Sequence, residues 1–132
     1  VVAGITGMGT ILAHLLATEL RKISPLQVEE VEVLLDKQAV TATDVQLSSP
    51  IALKGKTIIL VDDVLNTGKT LVYALKPFLE HEVEKIEIAV LVNRSHGLFP
   101  VKPDYTGFEL ATTFTEHIRV DFSGNNYSVH LL

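Results

Sequence analysis

The sequence of 132 residues has no cysteine and no tryptophan, one methionine and few aromatic residues (6%). Without cysteine the chain cannot form a disulfide, offer a thiolate to a metal or use a cysteine nucleophile. The five histidines show no metal-ligand spacing, so we expect no zinc site. A chain without disulfides is typical of a reducing compartment, and we expect a cytoplasmic protein.

Long apolar runs and an excess of basic charge are also missing. No run approaches the roughly 20 residues that cross a bilayer, and no basic segment precedes an apolar stretch, so we expect neither a membrane segment nor a signal peptide. The net charge of -5 argues against a generic basic surface for nucleic acid. The length and the 47% hydrophobic content predict one globular domain over residues 1–132. Because Val1 lies inside an apolar run, we expect further residues to precede it.

Apolar runs of strand type alternate with stretches of helical spacing. The pattern predicts strands at residues 1–5, 30–35, 56–61, 85–92, 117–121 and 127–131, and helices at 10–23 and 68–76. Pro77 should kink or end the second helix, and the polar segment 36–55 is predicted to be a loop. This order predicts an α/β fold with a mostly parallel central sheet flanked by helices, and a C-terminal hairpin that turns at residues 123–126.

The most informative segment is Ile58–Thr70, with the sequence IILVDDVLNTGKT. An apolar strand is predicted to end at the adjacent carboxylates Asp62 and Asp63, which can accept hydrogen bonds from the vicinal hydroxyls of a ribose. The loop after them offers backbone N–H groups, a threonine hydroxyl and the start of a helix, which together suit a phosphate. Because ligands bind at the carboxyl ends of parallel strands, this segment predicts a site for a ribose 5-phosphate.

Other motifs fit the glycines and aspartates less well. A Walker A loop needs a glycine at position 63, which is Asp63, and the spacing of Gly4, Gly7 and Gly9 is not that of a dinucleotide-binding loop. The aspartate pair also lacks the lysine and helix pattern of a phosphoacceptor domain. An ordinary strand-to-helix turn capped by aspartate is the alternative without a ligand.

The run VDDVLNTGKT at residues 61–70 resembles the phosphoribosyl pyrophosphate signature of type I phosphoribosyltransferases. The segment Ala89–His96, Pro100 and the segment Pro103–Gly107 are similar to one subfamily, the bifunctional pyrimidine operon attenuator and uracil phosphoribosyltransferase. The resemblance covers most of the chain. It implies the type I phosphoribosyltransferase fold and transfer of ribose 5-phosphate from phosphoribosyl pyrophosphate to a nucleobase, with uracil the expected base and UMP the product.

The resemblance also implies a role for individual residues. Asp62 and Asp63 hold the ribose hydroxyls, and Mg²⁺ arrives with the phosphoribosyl pyrophosphate, so no protein ligand for a metal is expected. Base recognition falls near Arg94 and His96. The remaining substrate-binding residues are the pyrophosphate turn Thr6, Gly7, Met8 and Gly9 and the phosphate-side segment Val64, Leu65, Asn66, Thr67, Gly68, Lys69 and Thr70.

Several positions depart from the pattern of the resembled family. Met8 stands where the family carries an arginine that pairs with pyrophosphate, and Asn93 stands where it carries an aspartate. The loop 36–55 is shorter than the family's catalytic lid. Two alternatives therefore stay open: a nucleotide-sensing regulator that binds RNA and has weak or no transferase activity, and a transferase for a purine base. The resemblance also implies a homodimer.

Overall fold

The computed structural model describes residues 1–38, 44–113 and 115–132, so residues 39–43 of the predicted loop 36–55 lie outside the described residues. The elements are β1 (Val2–Ile5), α1 (Met8–Ile23), β2 (Glu30–Leu34), β3 (Gln46–Leu47), β4 (Thr57–Leu65), α2 (Lys69–Ala74), α3 (Lys76–Leu79), β5 (Lys85–Asn93), β6 (Tyr105–Glu109), β7 (Ile118–Asp121) and β8 (Ser128–Leu131).

Six strands form one sheet in the order β3-β2-β1-β4-β5-β6. The pairs β1–β2, β1–β4, β4–β5 and β5–β6 are parallel, whereas β2–β3 is antiparallel. Strands β7 and β8 form a separate antiparallel hairpin. The predicted α/β fold with a mostly parallel sheet, flanking helices and a C-terminal hairpin is therefore confirmed.

The core lies on both faces of the sheet, which explains the continuous apolar strands. On one face the buried side chains of α1, such as Ala13, pack with Val2 of β1 and Val61 of β4. On the other face Ile5 and Phe78 belong to a larger cluster with the short helices. Successive side chains of a strand point to opposite faces, so each central strand contributes to both clusters.

Helix α1 packs closely against β1 and β4 because β1 and α1 carry glycines at their contact. A Cβ on Gly4 would lie 2.7 Å from the carbonyl oxygen of Gly9, and a Cβ on Gly9 would lie 2.9 Å from the carbonyl oxygen of Val61. Real Cβ atoms do not approach so closely. The two glycines therefore allow the first turn of α1 to reach the end of β4.

Several predicted boundaries were wrong. Strand β4 does not end at Asp62 and Asp63 but continues to Leu65, because the neighbouring β5 pairs with it as far as Asn93. Helix α1 begins at Met8 and not at residue 10, so Met8 and Gly9 belong to its first turn.

Two strands were not predicted at all. The loop 36–55 contains β3, which pairs with β2 through Leu47, and the segment after β5 contains β6. Each is a short edge strand that pairs with the strand before it in the chain, and its few residues show little hydrophobic periodicity. Pro77 interrupts the second helix as predicted: α2 ends at Ala74, and Pro77 lies in the first turn of α3.

Helix α1 is the longest helix in the described part of the chain, with 16 residues. None of the helices described is long and apolar enough to cross a membrane.

Candidate ligand site at the carboxyl ends of β4 and β5

A cleft of about 290 Å³ opens where β4 ends. This volume is close to the lower end of small-molecule pockets, which hold roughly 300–1,000 Å³. Ten predicted site residues line it: Asp62, Asp63, Val64, Leu65, Asn66, Thr67, Gly68, Lys69, Thr70 and Arg94. Four residues that were not among the predicted site residues complete the lining: Lys37, Leu71, His117 and Ile118.

Asp62 is the most deeply buried ionisable side chain of the site, with only 2% of the residue exposed. Burial raises the pKa of its carboxyl to about 7, and the nearby Asp63 acts in the same direction. The Lys37 ammonium opposes this rise in the pKa. Asp62 is therefore a buried residue within β4 and not, as predicted, a residue at which the strand ends.

Lys37 joins the two carboxylates. Its Nζ donates a hydrogen bond of 2.9 Å to Asp62 Oδ1 and lies 3.7 Å from Asp63 Oδ1. The backbone N–H of Asp63 also donates to Asp62 Oδ1, at 2.9 Å. The Lys37 ammonium therefore contacts the acidic pair that was predicted to bind the ribose hydroxyls.

The loop between β4 and α2 is held from the side by the segment after β5. The carbonyl oxygen of Thr67 accepts hydrogen bonds from the backbone N–H groups of Leu98 and Phe99, at 2.9 and 3.1 Å. Gly68 has a φ of 90°, in the left-handed region that favours glycine, and a Cβ there would lie 2.6 Å from Val101 Cγ2. The turn therefore requires glycine at this position for both conformation and space.

Arg94 is directed at protein oxygens. Its guanidinium donates to Asn66 Oδ1 (2.7 Å), Thr112 Oγ1 (2.8 Å) and the carbonyl oxygens of Thr113 (3.1 Å) and Glu116 (2.7 Å). These four bonds engage four of the five N–H donors of the guanidinium. Its predicted proximity to a base stays a prediction, but the side chain has few donors left for a ligand.

His96 does not line the cleft with the aspartates. It borders a neighbouring cavity together with Asn66, Thr67 and Arg94. Its Nε2 lies within hydrogen-bond distance of the carbonyl oxygen and the Oγ1 of Thr112. The structure therefore brings Arg94 and His96 together on Thr112, at the edge of the cleft.

The predicted pyrophosphate residues lie beside the cleft and do not line it. Thr6 donates its backbone N–H to the carbonyl oxygen of Val33, and Gly7 has a φ of 89° before α1 begins. Met8 is 37% exposed. Gly9 is the link to the aspartates, since a Cβ on it would lie 3.2 Å from Asp62 Oδ1.

The residues missed from the sequence reach the cleft through tertiary structure. Lys37 follows shortly after β2, and a cation next to the carboxyl end of a parallel strand was a signal that could have identified it. His117 directly precedes β7, and Ile118 is its first residue. The sequence around them gives no local signal of a site, because only the path of the chain after β6 brings them to the cleft.

The chain is similar in sequence to proteins of a known family. A profile described as the phosphoribosyl transferase domain matches residues 1–123. The chain is 35% identical over 127 residues to the Bifunctional protein PyrR of Gloeothece citriformis, covering 91% of this chain and 72% of that one. It is 35% identical over 128 residues to the Bifunctional protein pyrR of Enterococcus faecalis, covering 92% of this chain and 72% of that one.

Solved structures with the same fold include a purine phosphoribosyltransferase from Pyrococcus horikoshii, with a TM-score of 0.60 and 26% identity. That match covers 82% of this chain and 68% of the other. The hypoxanthine phosphoribosyltransferase of Trypanosoma cruzi has a TM-score of 0.69 at 14% identity, covering 83% of this chain and 60% of the other. The second similarity concerns the fold alone.

Proposed function

This chain belongs to the phosphoribosyl transferase domain family, and on that premise we propose that it transfers ribose 5-phosphate from phosphoribosyl pyrophosphate to uracil. The products would be UMP and pyrophosphate. The observation that carries the proposal is that the adjacent pair Asp62 and Asp63 and the loop Asn66–Thr70 line one and the same cleft.

The acidic pair is suited to the ribose. Two carboxylates side by side can accept hydrogen bonds from the two vicinal hydroxyls of the sugar. The ribose must compete with Lys37, whose Nζ lies 2.9 Å from Asp62 Oδ1. We therefore expect Lys37 to leave the carboxylates when phosphoribosyl pyrophosphate binds, which frees its ammonium for the phosphate groups of that substrate.

The loop after β4 is suited to the 5-phosphate. Thr67, Lys69 and Thr70 offer two hydroxyls and an ammonium, and the loop backbone adds N–H groups. The bonds from Leu98 and Phe99 to the Thr67 carbonyl hold the loop in one shape before the ligand arrives. A preorganised phosphate site requires little reorganisation on binding.

In the reaction the bond from C1 of the ribose to pyrophosphate breaks, a bond from a base nitrogen to C1 forms, and that nitrogen loses its proton. Stabilising the departing pyrophosphate should supply much of the catalysis. We assign the pyrophosphate to the turn Thr6–Gly9, although Met8 cannot pair with it as an arginine would.

The substrate is expected to carry Mg²⁺. Among the described residues, no group of three or more histidine, aspartate or glutamate side chains is placed to hold a metal. An ion held by substrate oxygens and water needs no such group of side chains, and we assign no side chain as its ligand. The ion would neutralise charge on the leaving group.

The base is assigned to the part of the cleft between Arg94, His117 and Ile118. Uracil is preferred because the curated relatives named above are PyrR proteins and because the segment Asn93–Gly107 resembles that subfamily. A purine base is the alternative, as in the structural neighbour from Pyrococcus horikoshii. A homodimer and a cytoplasmic location stay predictions.

The test is a transferase assay with phosphoribosyl pyrophosphate and Mg²⁺, supplying uracil, hypoxanthine, guanine or adenine in parallel. We expect UMP with uracil, and little product with the purines. The double variant Asp62→Asn and Asp63→Asn should lose both product and binding of phosphoribosyl pyrophosphate. The matched control is Glu82→Gln with Glu84→Gln, which neutralises two exposed carboxylates and should behave as the wild type. Unchanged affinity of the aspartate double variant would refute the ribose assignment.

A second function is that of a regulator that binds RNA and senses pyrimidine nucleotides, as the resemblance to the attenuator subfamily implies. A protein that neutralises several RNA phosphates should lose affinity steeply as salt rises. Binding of UMP without product from any base, together with such a salt-dependent RNA affinity, would favour this function over the transferase. The net charge of -5 argues against it.

A further inference from the structure

The guanidinium of Arg94 connects two parts of the chain that are separate in the sequence. The residue is only 9% exposed, and its four hydrogen bonds reach Asn66 after β4 and the oxygens of Thr112, Thr113 and Glu116 before β7. A charge this deeply buried requires such partners, since an unpaired one would be costly. All four partners are uncharged oxygens, so geometry rather than an ion pair holds the side chain.

The two parts that Arg94 connects lead to two separate stretches of the cleft lining, which we call its two walls. Asn66 belongs to the loop that we assign to the 5-phosphate, and Glu116 directly precedes His117 and Ile118, which line the part assigned to the base. One rigid guanidinium therefore spans from one wall to the other. A displacement of either wall must strain or break one set of its hydrogen bonds.

We infer that Arg94 is a positioning residue that sets the distance between the base wall and the phosphate loop, and that it acts without contacting the base itself. The inference rests on the proposed function, because it assigns the two walls to two parts of one nucleotide. It predicts that the base and the 5-phosphate bind cooperatively, since ordering Asn66 also orders the segment that leads to Ile118.

Thr112 allows the two walls to be tested separately. Its Oγ1 accepts the bond from Arg94 Nε, and His96 Nε2 lies within hydrogen-bond distance of both that Oγ1 and the carbonyl oxygen of Thr112. Replacing Thr112 with valine keeps the shape but removes that hydroxyl, and it leaves the bond from Arg94 to Asn66 in place. Arg94→Lys keeps the charge but loses the planar fork that reaches both walls.

The experiment is calorimetric titration of the full chain with UMP and with ribose 5-phosphate, below the thermal unfolding midpoint of every variant. Ribose 5-phosphate reports on the phosphate loop alone, and UMP reports on both walls. Arg94→Lys should weaken UMP binding by about tenfold or more, because it removes several hydrogen bonds of a charged donor that hold the two walls. It should weaken ribose 5-phosphate binding by a smaller factor.

Thr112→Val should weaken UMP binding by a few-fold and leave ribose 5-phosphate binding within about twofold of wild type. The matched control is Arg21→Lys, which changes an exposed arginine of α1 that pairs with Glu30 of β2 and should alter neither affinity.

The affinities of the wild type test the proposed function, and the variants test the positioning role. A wild type that binds neither ligand would overturn the proposed function and this inference with it. If the wild type binds both and the variants lower only the unfolding midpoint, Arg94 has a purely structural role and the inference is wrong. If Arg94→Lys weakens both ligands equally and Thr112→Val weakens neither, Arg94 acts on the phosphate loop alone, which also overturns it.

Discussion

The buried carboxyl of Asp62 makes a quantitative prediction about stability and pH. Its pKa is raised from an ordinary value of 3.8 to about 7, chiefly by burial. Between these values the folded protein holds a proton that the unfolded chain has released. The stability that comes from this proton is fully present below about pH 4 and is lost as the pH rises through about 7. At about 1.4 kcal/mol per pKa unit, the total loss is about 4 kcal/mol.

Asp62→Asn removes this loss, because a carboxamide of the same shape does not ionise. We expect the free energy of unfolding of the variant, relative to wild type, to rise by about 3 kcal/mol between pH 5 and pH 8.5. The comparison cancels the titration of the histidines and other groups that both proteins share. The measurement is urea denaturation of both proteins at half-unit steps of pH.

The matched control is Asp63→Asn, which removes the neighbouring carboxylate but leaves Asp62 buried. It should keep most of the wild-type pH dependence, because burial is the largest cause of the raised pKa of Asp62. Parallel curves for wild type and Asp62→Asn from pH 5 to 8.5 would show that Asp62 has the same pKa folded and unfolded. That result would refute the reasoning, since it would mean that Lys37 fully offsets the burial.

Three further changes test other parts of the site. Lys37→Gln removes the cation that opposes protonation, so the pKa of Asp62 should rise further above 7, measured from the carboxyl carbon shift by NMR. Met8→Arg should tighten the binding of phosphoribosyl pyrophosphate by about tenfold through a bidentate contact, whereas Met8→Gln should not. If calorimetry gives both variants the same affinity, the pyrophosphate does not bind at this turn. Gly68→Ala should cost about 1–3 kcal/mol in urea denaturation, because φ is 90° and space is short. Gly97→Ala, with open space around it, should change stability by less than about 0.5 kcal/mol.

The sequence alone was sufficient for the α/β class, the mostly parallel sheet and the segment that carries the candidate chemistry. These features have local signals: β1, β4 and β5 are continuous apolar runs, and Asp62 and Asp63 are followed directly by the loop that leads into α2. Since both parts of the proposed ribose 5-phosphate site are neighbours in the chain, no long-range contact was needed to associate them.

Tertiary structure decided which other residues join that segment and how each one behaves. Lys37 lies 25 positions before Asp62 and still forms the shortest ion pair of the cleft. The edge strands β3 and β6 exist because β2 and β5 offer them backbone hydrogen bonds, which hydrophobic patterning does not record. The burial that raises the pKa of Asp62, and the path that brings Arg94 to Glu116, depend on packing between segments far apart in the chain. Such contacts leave no periodicity in the sequence, because hydrophobic patterning records which face a residue occupies and not which distant residue meets it there.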